Sequence, residues 1–156
     1  MKKKKKVIIT YGTFDLFHIG HLRLLKRLKK MGDVLYVGIS TDKFNQKKNK
    51  KTIIPYKQRA KIVASIKYVD GVFPEKKWNQ KKKDIKKYKA DILVMGDDWK
   101  KKFDYLKPLC EVKYIKRTKN ISSTNIKNKL KDISTISKED IYNLFDVIDR
   151  LKKDLN

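Results

Sequence analysis

A chain of 156 residues is long enough to fold as one domain around a continuous core, and 40% apolar residues exclude a disordered segment although 38% are charged. Lys and Arg number 42 against 17 Asp and Glu, a formal charge of +25, which points to an anionic partner or substrate: nucleic acid, a membrane surface or a phosphorylated small molecule. Only Arg23, Arg27, Arg59, Arg117 and Arg150 are arginines, and lysine is spread over nearly every segment, so the excess reads as a solvated, lysine-favouring surface.

Apolar runs and helical periodicity alternate along the chain. The run 7–11 predicts a buried strand. Residues 19–32 predict a helix with Leu22, Leu25 and Leu28 on one side and Gly32 closing it. A second strand is expected over 33–40, then a polar, lysine-laden loop over 41–55. Residues 56–68 predict a helix with Ile62, Val63 and Ile66 as its apolar stripe, followed by a short strand over 69–74. A polar helix is expected over 79–89, and further strands over 90–96 and 110–116. Ser122, Ser123 and Thr124 open another helix, 122–130. The final segment, 137–155, has Ser137 and Asp140 as a capping box and Ile141, Leu144, Phe145, Ile148, Leu151 and Leu155 as an apolar stripe.

Strands separated by helices imply βαβ units, hence an α/β, Rossmann-like, doubly wound parallel sheet of about five strands with an extra C-terminal helix. Ligands of such sheets bind at the carboxyl ends of the strands. The loops there contain GTFDLFHIGH, STDKFNQKKNKK, GDDW and RTKNISST. Both histidines, His18 and His21, stand at the first strand–helix junction. Gly20 between them would let backbone N–H groups approach a phosphate at the electropositive helix start. Two imidazoles there suit a phosphoryl group gaining charge. A metal site is the rival reading of a His pair, but no third ligand lies at a recognisable spacing. Cys110 is the one cysteine, which rules out an intramolecular disulfide and favours a reducing, cytoplasmic setting. No apolar run approaches the roughly 18 residues of a membrane span.

These residues carry a resemblance. GTFDLFHIGH is similar to the GxFDxxHxGH signature of the cytidylyltransferases in the HxGH nucleotidyltransferase superfamily, and RTKNISST resembles their second signature. STDKFN, PYKQRAKIVASIKYVDGVFPE and VMGDDWKKKFDYLK, in that order and spacing, are similar to the branch of the family that acts on glycerol 3-phosphate. The likeness spans about residues 5–130, taken as the catalytic domain (1–130), with 131–156 as its helical extension.

The resemblance implies transfer of CMP from CTP to glycerol 3-phosphate by direct in-line attack, with another small phosphorylated alcohol as the alternative acceptor. It implies Mg2+ travelling with the triphosphate, with no protein-borne metal site. Position by position, it implies His18, His21, Lys48 and Arg117 as catalytic residues. CTP contacts would come from Thr13, Phe14, Asp15, His18, His21, Lys50, Asp98, Arg117, Thr118, Ile121, Ser122, Ser123 and Thr124. The acceptor would meet Lys48, Lys67, Trp78 and Lys81. Three positions depart from the pattern: Asn120 stands for glycine, Ser123 for threonine and Lys67 for arginine, and a lone ammonium does not reproduce an arginine fork. A homodimer through the catalytic domain is expected, with the C-terminal helix as a brace, and with neither membrane insertion nor a specific nucleic-acid partner.

Overall fold

The computed structural model describes residues 4–116, 118, 121–134 and 137–154. The five apolar runs form strands β1 (Val7–Gly12), β2 (Val34–Ser40), β3 (Gly71–Glu75), β4 (Ile92–Gly96) and β5 (Glu111–Ile115). All pair in parallel, in the order β3-β2-β1-β4-β5. Between and after them run helices α1 (Ile19–Lys29), α2 (Asp42–Lys47), α3 (Tyr56–Ala64), α4 (Lys81–Lys87), α5 (Ser123–Ser134) and α6 (Lys138–Asp154). The chain divides into two compact units, Met1–Ile121 and Ser122–Asn156.

Alternation along the strands sends successive side chains to opposite faces of the sheet, and both faces are covered. Ile8, Leu35, Val37, Ile39, Ile92 and Val94 pack with Leu25 and Leu28 of α1 and Val63 of α3. Ile9, Tyr11, Phe73, Leu93 and Met95 pack with Ile85 of α4 and with Phe103 and Leu106 of the β4–β5 connection. At about 1.5–3 kcal/mol for each fully buried aliphatic or aromatic side chain, these two layers carry the fold. At the amino end of the sheet, Asp33, Asp70 and Asp91 accept from the backbone N–H groups of Lys6, Leu35 and Val7 at 2.7–2.8 Å and fix the register.

Four local expectations need correction. The stretch 41–55 is not all loop, because Thr41 caps α2 by accepting from Phe44 N–H, and Phe44 and Asn45 are buried beneath the lysines. In α3 the inward residues are Arg59 and Val63, while Ile62 faces solvent. The polar helix α4 is polar on its buried side, with Lys81 and Asp84 inside. Gly32 does not close α1 in a left-handed turn; a Cβ there would lie 2.8 Å from the Lys6 carbonyl and from Ile8, so close packing requires the glycine. Cys110 is half-buried against the second layer, and burial pushes its thiol upward.

In the second unit, Ser122 accepts from Asn125 N–H at 3.1 Å and opens α5. Along α6, Ile141, Leu144, Phe145 and Ile148 are exposed. The side chains of Asp140 and Leu151, and Leu155 as a whole, lie outside the described residues.

Candidate active site

The strand order reverses between β1 and β4, and the loop leaving β1 stands at that switch point. It turns through left-handed backbone at Phe14 (φ 53°) and Leu16 (φ 46°), an arrangement that persists only where neighbours over-determine it. Two buried charged residues do so. Asp15 accepts from the N–H groups of Leu16 (3.1 Å), Ile53 (2.9 Å) and Ile54 (2.9 Å). Arg59 donates to the carbonyls of Ile54 (2.8 Å), Ser40 (2.9 Å) and Thr13, and to Asp42 Oδ1 at 2.7 Å. Burial alone would raise the Asp42 carboxyl, but the Tyr56 N–H and the Arg59 guanidinium hold it below its ordinary value. One guanidinium therefore locks together the ends of β1 and β2, the start of α2 and the loop before α3.

At the start of α1, His18 is the N-cap residue, and its Nδ1 accepts from Gly20 N–H at 3.0 Å. The reciprocal contact runs from His18 N–H to His21 Nδ1 at 3.4 Å. The two rings stack with centroids 3.9 Å apart, and His21 is flanked by Phe14 and Phe17. With Nδ1 accepting, the proton of each ring's N–H sits on Nε2. Burial lowers the His18 pKa, which keeps that ring neutral. Its Nε2 is buried and has no hydrogen-bond partner among the described residues, so an N–H donor is aimed at an acceptor that those residues do not supply. The role of Gly20 differs from the expected one: its N–H is occupied by His18, and a Cβ there would lie 2.8–2.9 Å from the His18 ring and 3.0 Å from Ile121. The glycine makes room for an imidazole.

Beyond Ser40, a chain of polar contacts begins. Lys48 Nζ donates to Ser40 Oγ at 2.8 Å, Ser40 donates to Glu75 Oε2 at 2.5 Å, and Lys81 pairs with Glu75 Oε1. Lys48 lies 4.3 Å from the Phe44 ring centre and 5.5 Å from that of Trp78. Burial, together with Lys50, Lys81 and Arg59, lowers the Lys48 pKa to about 8 against the opposing pull of Glu75. Lys81 is completely buried, and burial lowers its pKa as well.

The structure thus brings Thr13, His18, His21, Ile121 and Lys48 to the carboxyl end of the sheet, with Thr13 Oγ1 donating to Asn45 Oδ1 at 3.1 Å. Phe14 is a core residue and offers a ligand only its backbone. Lys50 is exposed at the end of α2, Trp78 is 42% exposed, and Asp98 is exposed in the turn after β4. Lys67 is exposed between α3 and β3, at the amino end of the sheet, where it lies over the Tyr68 ring; the fold does not bring it to the others. Thr118 is half-buried. Ser122, Ser123 and Thr124 belong to the second unit, and Arg117 and Asn120 lie outside the described residues. Sequence reading passed over Arg59, Ser40 and Glu75. Among the described residues no group of three or more His, Cys, Asp and Glu side chains is arranged to hold a metal ion, and Asp15 spends its oxygens on backbone N–H groups.

Residues 9–129 match the family described as cytidylyltransferase-like. The chain is 54% identical over 125 residues to glycerol-3-phosphate cytidylyltransferase of Staphylococcus aureus (strain NCTC 8325 / PS 47), covering 80% of this chain and 95% of that one. It is 55% identical over 125 residues to the Bacillus subtilis (strain 168) protein of the same name, covering 80% and 97%. In fold it is similar to the lipopolysaccharide core biosynthesis protein of Thermoplasma volcanium GSS1, with a TM-score of 0.66 at 24% identity over 74% of this chain and 99% of that one.

Proposed function

The chain belongs to the cytidylyltransferase-like family, and from that premise we propose that it transfers CMP from CTP to glycerol 3-phosphate, giving CDP-glycerol and pyrophosphate. The observation that carries the reading is the stacked histidine pair with the unpartnered Nε2–H of His18, joined to the identity with relatives bearing that activity in their names.

In this reading an oxygen of the acceptor phosphate forms a bond to the α-phosphorus of CTP as the bond to the pyrophosphate oxygen breaks. The acceptor arrives ionised, so no proton need leave it, and the chain's task is to place two anions together and to stabilise charge on the phosphoryl oxygens. His18 and His21 donate through Nε2 from a rigid helix start. Lys48 supplies a point charge at the acceptor side, where Trp78 forms a wall. Mg2+ belongs to the same proposal: bound together with CTP, it would supply neutralisation of the triphosphate charge.

Because Lys48 must be charged to hold a phosphate, kcat/KM for the acceptor is expected to fall as pH rises through about 8. Lys48→Met should flatten that limb of the profile. The stability sign is opposite: the folded pKa lies below the unfolded one, so burial of the ammonium disfavours folding most below pH 8, and that penalty fades as pH rises further. A profile with the limb unchanged in Lys48→Met would remove Lys48 from the acceptor side.

The direct test is pyrophosphate release with each of the four nucleoside triphosphates and a panel of phosphorylated alcohols. CTP with glycerol 3-phosphate is expected to be the fastest pair; a faster pair with another polyol phosphate would move the acceptor assignment within the same class. We place the enzyme in the cytoplasm, a reading that its single cysteine supports; no described helix is long and apolar enough to cross a membrane. We also take it to be a homodimer, a reading supported by the exposed stripe of α6. Sedimentation at micromolar concentration is expected to give twice the chain mass, and a monomer would refute it.

A further inference from the structure

The cations at the carboxyl end of the sheet have a use in the proposed reaction; those at the amino end have none, and the topology gathers many there. In a parallel sheet each helix that crosses back ends beside the start of the next strand, and lysine suits a helix C-terminus because the macrodipole is negative there. Lys5 and Lys6 lead into β1, Lys26 and Lys30 stand at the end of α1, and Lys86 and Lys87 at the end of α4. All six are exposed. Backbone contacts hold these turns side by side: Asp33 N–H donates to the Lys6 carbonyl at 2.8 Å, and Asp91 N–H to that of Val7 at 2.9 Å. Helices α1 and α4 cover opposite faces of the sheet, so lysines frame its amino rim from both sides.

The acidic residues of the rim do not balance them. Asp33, Asp70 and Asp91 each accept from a backbone N–H, and the ammonium groups that reach Asp70 and Asp91 are those of Lys29 and Lys4. None of the six exposed lysines has an ion-pair partner among the described residues. Uncompensated like charge works against the compact state, and a partner that supplied the counter-charge would relieve the repulsion.

The chemistry of the rim favours one kind of anion. Nucleic acids are read by planar arginine forks and by open aromatic rings on which bases stack. Arg27 gives both terminal nitrogens to the Lys116 carbonyl. The rings of Tyr68 and Tyr88 are half-buried, with Lys67 and Lys87 laid over them. Ammonium groups on flexible stems suit instead the diffuse charge of an anionic headgroup layer, each worth about fivefold in affinity near the surface.

We propose that the amino end of the sheet is a docking face for an anionic lipid bilayer. It holds the chain at the membrane surface by charge, without insertion, and turns the carboxyl end with His18, His21 and Lys48 toward the aqueous side. Binding needs neither substrate nor turnover, so the inference stands apart from the proposed reaction.

The test is co-sedimentation of the full chain with vesicles of phosphatidylcholine alone, and of phosphatidylcholine with about one-third phosphatidylglycerol, at low and at high sodium chloride. Two triple variants remove equal charge from opposite ends of the sheet. One combines Lys5→Gln, Lys30→Gln and Lys86→Gln; the other combines Lys57→Gln, Lys100→Gln and Lys101→Gln, at the start of α3 and in the β4–β5 connection. All six positions are exposed, and both variants should melt as wild type does. Wild type is expected to bind the anionic vesicles at least about tenfold more tightly than the neutral ones, and to lose that margin at high salt. The amino-end variant should weaken binding at least about tenfold, and the other no more than about twofold. Acetylation by a water-soluble reagent reads the same face without substitution: anionic vesicles should protect Lys5, Lys30 and Lys86 and leave Lys57 and Lys100 reactive. Three results overturn the proposal. No preference for anionic vesicles would make the lysines a solvated surface only. Equal loss or equal protection at both ends would make the attraction one of net charge. Duplex RNA held more tightly through the same lysines, at equal phosphate concentration, would make the face one for nucleic acid.

Discussion

Replacing His21 by alanine, or His18 by asparagine, is expected to lower turnover by about two to three orders of magnitude, the scale of losing one preorganised donor to a charged transition state. The two variants are chosen to spare the helix. Alanine is a good residue at the third position of α1, and the asparagine side-chain oxygen can take the Gly20 N–H that His18 Nδ1 now accepts. Both lose an Nε2–H, which in His18 has no other partner among the described residues, and His21→Ala also gives up the long 3.4 Å contact from His18 N–H. Thermal melting should therefore change little while kcat falls. Folded variants retaining turnover within about tenfold of wild type would show that the donors act elsewhere.

Arg59→Met is expected to have the largest effect on stability. It takes the guanidinium donor from the carbonyls of Thr13 and Ile54, and one of two donors from that of Ser40, which Asn45 Nδ2 also reaches at 3.3 Å, in a site of 1% exposure. An unsatisfied buried acceptor costs about 1–3 kcal/mol, so the total should reach about 3 kcal/mol or more. The pair with Asp42 adds less, since that carboxylate is 42% exposed and solvent screens it. For a chain of this size the change corresponds to a fall of about 6–12 °C in melting temperature. Arg59→Lys should recover only part of it, because one ammonium cannot reach acceptors set around a planar fork. A melting temperature within about 2 °C of wild type would mean that the loops hold one another without the guanidinium.

Strands and site were legible in different degrees. The five β-branched runs and their order along the chain are strong signals because a parallel sheet buried on both faces needs them, and the histidine pair stood out as the chain's whole supply. The buried charges were hidden by composition. Only the family resemblance singled out Lys48 and Lys81 among so many lysines; nothing in the composition of KKWNQKKKD marks the lysine that turns inward, whose position depends on Glu75, six residues earlier, and on Tyr11, across the sheet. Helix α2 was missed because its apolar content is one residue, Phe44, and its cap is a threonine inside a polar run. Arg59 did leave a trace. In a chain that otherwise chooses lysine, an arginine marks a place where planar geometry matters; Arg27, whose two terminal nitrogens both donate to the Lys116 carbonyl at 3.1 Å, is a second instance.

The strand order has a consequence for the protein's life in a crowded cell. An open sheet ends in two outer strands, here β3 and β5, and an outer strand is a template on which a foreign chain can add itself. Pro74 is the last residue but one of β3, opposite Ile39, and a proline has no N–H to offer an incoming strand. On the other side, Glu111 and Lys113 of β5 pair at 2.9 Å with both side chains largely in solvent, so a strand laid alongside would have to strip water from an ion pair. Each rim thus carries its own obstacle to amyloid-like extension.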